Sequence, residues 1–211
     1  MASLTDDGCQ VWWARDRVGR AAFEARAERL VGAVLAHVRY FDMDASKGVR
    51  VVPEGEEWLD PPWRNEDHDL LDWGLELDTH DGRTFAATWY VNPFEGIDFD
   101  EERLVETWLG PAASVAIWDV TSTEAWSDYV GQTVTRVQVC WERMERKAFA
   151  CHAVVLDFGS AMFVVDGEGD NIGVTFGTDA ARARAVGLYS PRQMHFEPRF
   201  RERVARWFRP T

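Results

Sequence analysis

Apolar and polar residues alternate with a period of two through much of the chain. Leu71, Trp73, Leu75 and Leu77 stand between Asp72, Gly74, Glu76 and Asp78. Successive side chains of a strand point to opposite faces, so this spacing predicts a half-buried strand. Asp81-Gly82 follows as a hairpin signal, and Thr84 to Tyr90 reads as the return strand. The second half repeats the order. Ala153 to Asp157 runs into Phe158-Gly159-Ser160 and returns through Met162 to Asp166.

The two halves also agree ahead of these hairpins. Leu30-Val31-Gly32 leads into residues 33–41, and Tyr129-Val130-Gly131 leads into residues 132–140. Val38 and Tyr40 match Val137 and Val139 on one face, while His37 and Arg39 match Arg136 and Gln138 on the other. Residues 82–99 align without gaps on 159–176, setting Gly82 on Gly159, Gly96 on Gly173, Ile97 on Val174 and Phe99 on Phe176. This self-similarity predicts an internal repeat, with units of about 11–108 and 112–178 inside a single globular domain, 1–211. Two such units could share one continuous sheet or face each other as two sheets.

Helical spacing is scarcer. Phe23, Ala27, Leu30 and Val31 fall on one face of a helix from about Val18 to Leu30. Pro198 suits the first turn of a C-terminal helix that sets Phe200, Val204, Trp207 and Phe208 against Arg199, Arg203 and Arg206. Asp179 to Ala185 is a third candidate, inside a basic helical segment, 179–211. Pro53 to Asp69 reads as a long loop, and long loops are often functional. The expected class is therefore α+β, β-rich: two diverged repeats of an antiparallel β-meander, a short N-terminal helix and a C-terminal amphipathic helix.

Composition sharpens this. Eleven Trp and twelve Phe among 211 residues supply ample core material. No apolar run approaches the roughly 20 residues of a membrane span, and the first ten residues lack a basic or apolar leader, so a cytoplasmic protein is expected. Cys9, Cys140 and Cys151 form no CxxC pair, so reduced thiols are expected rather than a disulfide framework or thiolate metal site. Basic residues are almost all Arg, a hint of a GC-rich bacterial genome. The net charge is −13, yet residues 182–211 carry eight Arg against Glu197 and Glu202, which leaves −19 on the rest. Such a field repels nucleic acid and speeds encounter with basic proteins.

Candidate chemistry concentrates in two acidic runs. Glu54 to Asp72 holds eight acids, among them Asp60, Glu66, Asp67 and Asp69, with Arg64 as the sole base and Trp58, Trp63 and Trp73 interspersed. Aromatic anchors among carboxylates suit a surface for a basic protein. The competing reading is a solvated loop clamped to the core by its tryptophans. The second run comprises Glu95, Asp98, Asp100, Glu101, Glu102 and Glu106, whose alternative role is a solvated strand end and helix start.

Asp67-His68-Asp69 and His80-Asp81 set imidazole beside carboxylate without a HExxH or HxH partner, which favours surface loop chemistry over metal binding. His37 and His152 lie in predicted strands. Cys151 and His152 are adjacent in a strand and so point apart. GxSxG, P-loop and GxGxxG motifs are absent, and Gly167 to Asn171 lacks the ligand spacing of a calcium loop.

The leading expectation is a non-catalytic module that binds a basic protein, as an immunity protein neutralises a toxin. Its candidate contact residues are Trp58, Asp60, Trp63, Glu66, Asp67, Asp69, Asp98, Asp100 and Glu101. The first alternative is an enzyme or small-molecule binder whose aromatic-lined pocket lies between the repeat units and draws on His37, His68, His80 and His152. The second is a structural, self-associating component. No cofactor, metal, nucleic acid or membrane is expected, and the chain is expected to be a monomer or homodimer.

Overall fold

The computed structural model describes residues 3–4, 10–11, 17–44, 48–65, 68–90, 96–110, 113–143, 149–167, 171–179 and 181. The expected C-terminal amphipathic helix lies outside the described residues, as do Glu66 and Asp67.

In chain order the strands are β1 (Ser3–Leu4), β2 (Gln10–Val11), β3 (Leu35–Met43), β4 (Val49–Val51), β5 (Asp69–Leu71), β6 (Gly74–Thr79), β7 (Thr84–Tyr90), β8 (Gly96–Asp100), β9 (Val115–Asp119), β10 (Arg136–Arg143), β11 (Phe149–Asp157), β12 (Met162–Gly167) and β13 (Ile172–Phe176). One helix, α1 (Arg17–Glu28), exceeds two turns among the described residues. Shorter helical pieces are a 3-10 turn at Glu56–Trp58, a π-helical turn at Val105–Leu109 and a 3-10 turn at Glu124–Trp126.

The chain is β-rich, as the alternation predicts, and its strands form two main sheets. The six-stranded sheet runs β4-β9-β3-β6-β7-β8, with β4 parallel to β9 and every other pair antiparallel. The five-stranded sheet, β10-β11-β12-β13-β5, is antiparallel throughout. Each contains one four-stranded meander, β3-β6-β7-β8 in the first and β10-β11-β12-β13 in the second. Strand β5 belongs to the first half of the sequence but closes the edge of the second sheet, where Leu71 stands opposite Ile172.

The sheets face each other over one core. From the larger sheet come Val38, Tyr40, Leu75, Leu77, Phe85 and Phe99; the smaller contributes Val137, Val154, Leu156, Phe163, Val165 and Val174. Burying such side chains stabilises by about 1.5–3 kcal/mol each, before chain entropy is counted. Trp126 is fully buried at the centre, with edge contacts to Phe163 at 4.9 Å, Phe176 at 5.0 Å and Tyr129 at 5.8 Å.

The start of each meander meets the other across an antiparallel bridge between Val34 and Thr133. Gly32 N–H donates to Val134 C=O and Gly131 N–H donates to Leu35 C=O, both at 2.8 Å; Leu35 N–H donates to Gln132 C=O and Val134 N–H to Ala33 C=O. Exchanging Gly32 with Gly131, Ala33 with Gln132 and Leu35 with Val134 turns each of these bonds into its counterpart. Both glycines have φ near +80°, which a side chain resists.

Details depart from the periodic reading where the backbone breaks its own period. Helix α1 ends at Glu28, so Phe23, Ala27 and Leu30 are buried whereas Val31 is exposed in the following turn. The gap-free alignment of 82–99 on 159–176 sets Phe85 on Met162, but Phe85 lies in the shared core and Met162 on the opposite face of its sheet, with Cys140 and Val155. A one-residue slip inverts the face in a period-two element, and Phe163 is the residue that faces inward.

Candidate functional site

The acidic connector after β4 is fixed at both ends. Val52 N–H donates to Ile117 C=O (2.9 Å) at its start, and Leu70 N–H donates to Trp63 C=O (2.8 Å) at its end. Trp63, only 2% exposed, meets Tyr40 edge-on at 5.1 Å and Trp118 at 6.0 Å. Half-buried Trp58 packs on Trp118 at 5.4 Å and on Trp63 at 6.4 Å, while its Nε1–H donates to Pro53 C=O (3.1 Å). Arg50 of β4 reaches Asp44 at 2.6 Å and holds Glu57 by both terminal nitrogens at 3.1 and 3.2 Å.

The two tryptophans are thus the clamp rather than the exposed anchors. What the clamped connector presents outward is Glu54, Glu56, Glu57 and Asp60 around Leu59, which is 80% exposed. Asp69 turns inward: it is buried and accepts the Tyr40 hydroxyl (2.7 Å), which in turn accepts Trp126 Nε1–H (2.9 Å). That relay ties β5 of one sheet to β3 of the other. Burial raises the pKa of Asp69, opposed by the Tyr40 bond, and burial pushes the Tyr40 hydroxyl well up.

The second acidic run serves α1. Arg26 Nε reaches Asp100 at 2.7 Å, and its guanidinium lies 3.8 Å from Asp98; Arg29 meets Glu101 at 2.7 Å. Asp98 is 2% exposed, and burial pushes its carboxyl up to about 7 against the pull of Arg26, with Asp100 and Glu102 adding to the rise. Glu102 accepts Trp108 Nε1–H and is raised by burial. Of the described residues of this run, Asp98, Asp100 and Glu101 attach the helix to β8 and its following turn, and Glu106 is exposed.

A carboxyl pair that periodicity did not single out sits at the end of β3. Asp42 Oδ1 accepts the backbone N–H of Asp72 (3.1 Å) and of Met43 (3.1 Å), while Asp72 Oδ2 also accepts Met43 N–H (3.1 Å). Burial first, then the neighbouring Asp72 carboxylate, pushes Asp42 up to about 7. The sequence signal, two acids ending consecutive apolar runs, is too common to pick out.

The four candidate histidines, His37, His68, His80 and His152, are distributed rather than gathered. His37 at the start of β3 and His80 in the β6–β7 turn are exposed; His68 is half-buried beside β5. His152 occupies a bulge in β11, where the ladder jumps from Cys140↔Ala153 to Trp141↔Cys151, and its Nε2 lies 2.7 Å from Glu142. Cys151 is buried in the shared core and its thiol is pushed well up by burial; Cys9 lies outside the described residues. Among the described residues, no group of three or more His, Cys, Asp or Glu is arranged to hold a metal, and no helix is long and apolar enough to cross a membrane.

Between the sheets the Tyr40, Trp126, Tyr129 and Phe163 rings pack edge to face. A groove of about 370 Å3 lies on the outer face of the larger sheet, against the π-helical turn. Its floor is Phe41 of β3, Ile117 of β9 and Val51 of β4. Glu76, 3% exposed, joins the turn to the sheet: it accepts Leu104 N–H (2.7 Å) and an Arg39 terminal nitrogen (2.8 Å), with Arg103 at 4.0 Å. Burial raises its pKa against these partners. Glu106 and Asp119 complete the rim. The strand alternation assigns Arg39 and Glu76 to the outer face, but the turn that makes that face concave carries no comparable signal.

Comparison with protein-family models, with curated proteins and with solved structures finds no match to this chain.

Proposed function

We propose that the protein is a non-catalytic binding module that recognises a basic protein partner, in the manner of an inhibitor or immunity protein that covers a basic toxin. The observation that carries this reading is the clamped connector: four exposed carboxylates held around an exposed leucine by two tryptophans packed on the core. A fixed loop loses little conformational freedom on binding, and an apolar tip ringed by like charges supplies both a desolvated anchor and selectivity for cations. The overall charge of −13 favours the same partner at long range.

Capture from the cells that make the protein tests it. Wild-type protein should retain one or a few proteins of high isoelectric point, and a variant with Glu54, Glu56, Glu57 and Asp60 changed to Lys should lose them. Undiminished capture of every basic partner by the variant sinks the reading.

We also infer that the chain arose by tandem duplication of a meander-forming unit. Support comes from the matched Gly32 and Gly131 turns, the hydrogen bonds that interchange between them and the four strands that follow one another in the same order within each sheet, β3-β6-β7-β8 and β10-β11-β12-β13. Diverged copies would explain why one half bears the acidic connector and the other does not.

A further inference from the structure

We infer that the groove on the outer face of the larger sheet is the seat for one arginine or lysine side chain of a basic partner. This rests on the reading proposed above and names a second point of contact beside the connector. The floor of Phe41, Ile117 and Val51 suits the aliphatic stem of such a side chain, because long cationic residues bury their methylenes while keeping the charged head at a polar rim.

The sign of the head follows from which charges are already matched. Arg39 is engaged by Glu76 at 2.8 Å and Asp78 at 2.7 Å, and Arg103 lies 4.0 Å from Glu76. Glu106 and Asp119, by contrast, have no ion pair among the described residues. One oxygen of Asp119 accepts the backbone N–H and hydroxyl of Thr121, which orients the carboxylate without neutralising it. An anion entering here would meet Glu76, Glu106 and Asp119 against Arg39 and Arg103; one guanidinium or ammonium completes the balance.

The groove and the connector are joined in the chain through β4. Val51, 67% exposed on β4, ends the strand immediately before Val52 and Pro53 lead into the acidic segment.

The test follows the Ile117 and valine methyl signals by NMR while the full chain is titrated with a blocked Gly-Arg-Gly peptide and with its citrulline counterpart, equal in shape but uncharged. The arginine peptide should shift Ile117 and Val51 saturably, and the citrulline peptide should not. Glu106→Gln combined with Asp119→Asn should weaken the shift about tenfold at unchanged melting temperature, the size expected for losing charge-assisted contacts. The connector reversal should leave the Ile117 response in place. Silence at Ile117, or equal response to both peptides, overturns the inference. If Ile117 stays silent while the connector variant still loses its basic partner, the seat is refuted and the proposed function stands. If Ile117 responds but no basic protein is captured, the proposed function fails and the cation site stands.

Discussion

At the scale of single residues, burial decides which of the many carboxylates belong to the interior. Asp98 and Asp42 both titrate near 7 in the folded chain, against about 3.9 for an unfolded Asp. For an acid whose folded pKa is raised, the native state holds the extra proton, so stability is fully present below about pH 4 and is lost as pH rises to about 7. Urea unfolding should therefore give a free energy lower at pH 8 than at pH 5 by on the order of 2 kcal/mol for each of the two carboxyls. Asp98→Asn, which keeps the shape without the charge, should shrink that difference by more than about 1 kcal/mol. An unaltered pH profile in the variant would show that Asp98 is ionised throughout. The same logic separates the connector's parts: Trp63→Ala should cost about 3–5 kcal/mol, because a buried indole is lost, whereas Leu59→Ala should change stability by less than about 0.5 kcal/mol. Urea midpoints of the two variants check this, and equal losses would mean that the clamp is not what holds the loop.

At the scale of elements, the hairpin strands of the two meanders were legible because a half-buried strand must alternate. The β6–β7 and β11–β12 hairpins appear where Gly82 and Gly159 announce them, both at positive φ. What alternation does not encode is a break in its own period. The bulges after Leu35 and at His152 shift the inward parity within β3 and β11, and five residues separate the paired Asp78 and Thr84 where four separate Asp157 and Met162, so the face of Met162 against Phe85 could not be read from spacing. Long-range pairing was equally silent: nothing in Asp69 to Leu71 announces that it will close the far sheet. Gly74 is a further case, since it reads as one polar-face position among others. A Cβ there would stand 2.0 Å from Ala87 C=O, at a φ of 149°. Gly74→Ala should accordingly cost at least about 2 kcal/mol, while Gly32→Ala and Gly131→Ala, which meet nothing within 4 Å, should each cost only about 1 kcal/mol through strain. Chemical denaturation of the three variants orders them, and a harmless Gly74→Ala would contradict the close approach.

At the scale of the whole molecule, sequence left open whether the meanders extend one sheet or face each other. Facing wins because each meander has one strongly apolar side, and Tyr40, Trp126 and Phe163 interlock between them. The acidity was plain from composition, but its division of labour was not: Asp69, Asp98, Asp100 and Glu101 hold elements together and Glu57 is held by Arg50, whereas Glu54, Glu56 and Asp60 of the connector and Glu106 and Asp119 of the groove rim have no ion pair among the described residues. These two places should act on different rate constants. Exposed carboxylates steer encounter across solvent, so neutralising Glu54, Glu56, Glu57 and Asp60 should lower the association rate with a basic partner about tenfold at low salt and far less at ~0.5 M, where the Debye length is only a few ångströms. Groove contacts form after water is displaced, so Glu106→Gln with Asp119→Asn should chiefly speed dissociation and keep most of the association rate. Stopped-flow measurements at two salt concentrations resolve both. If the groove variant instead slowed association in a salt-dependent way and left dissociation alone, Glu106 and Asp119 would be acting as further steering charges, with no side chain seated between them.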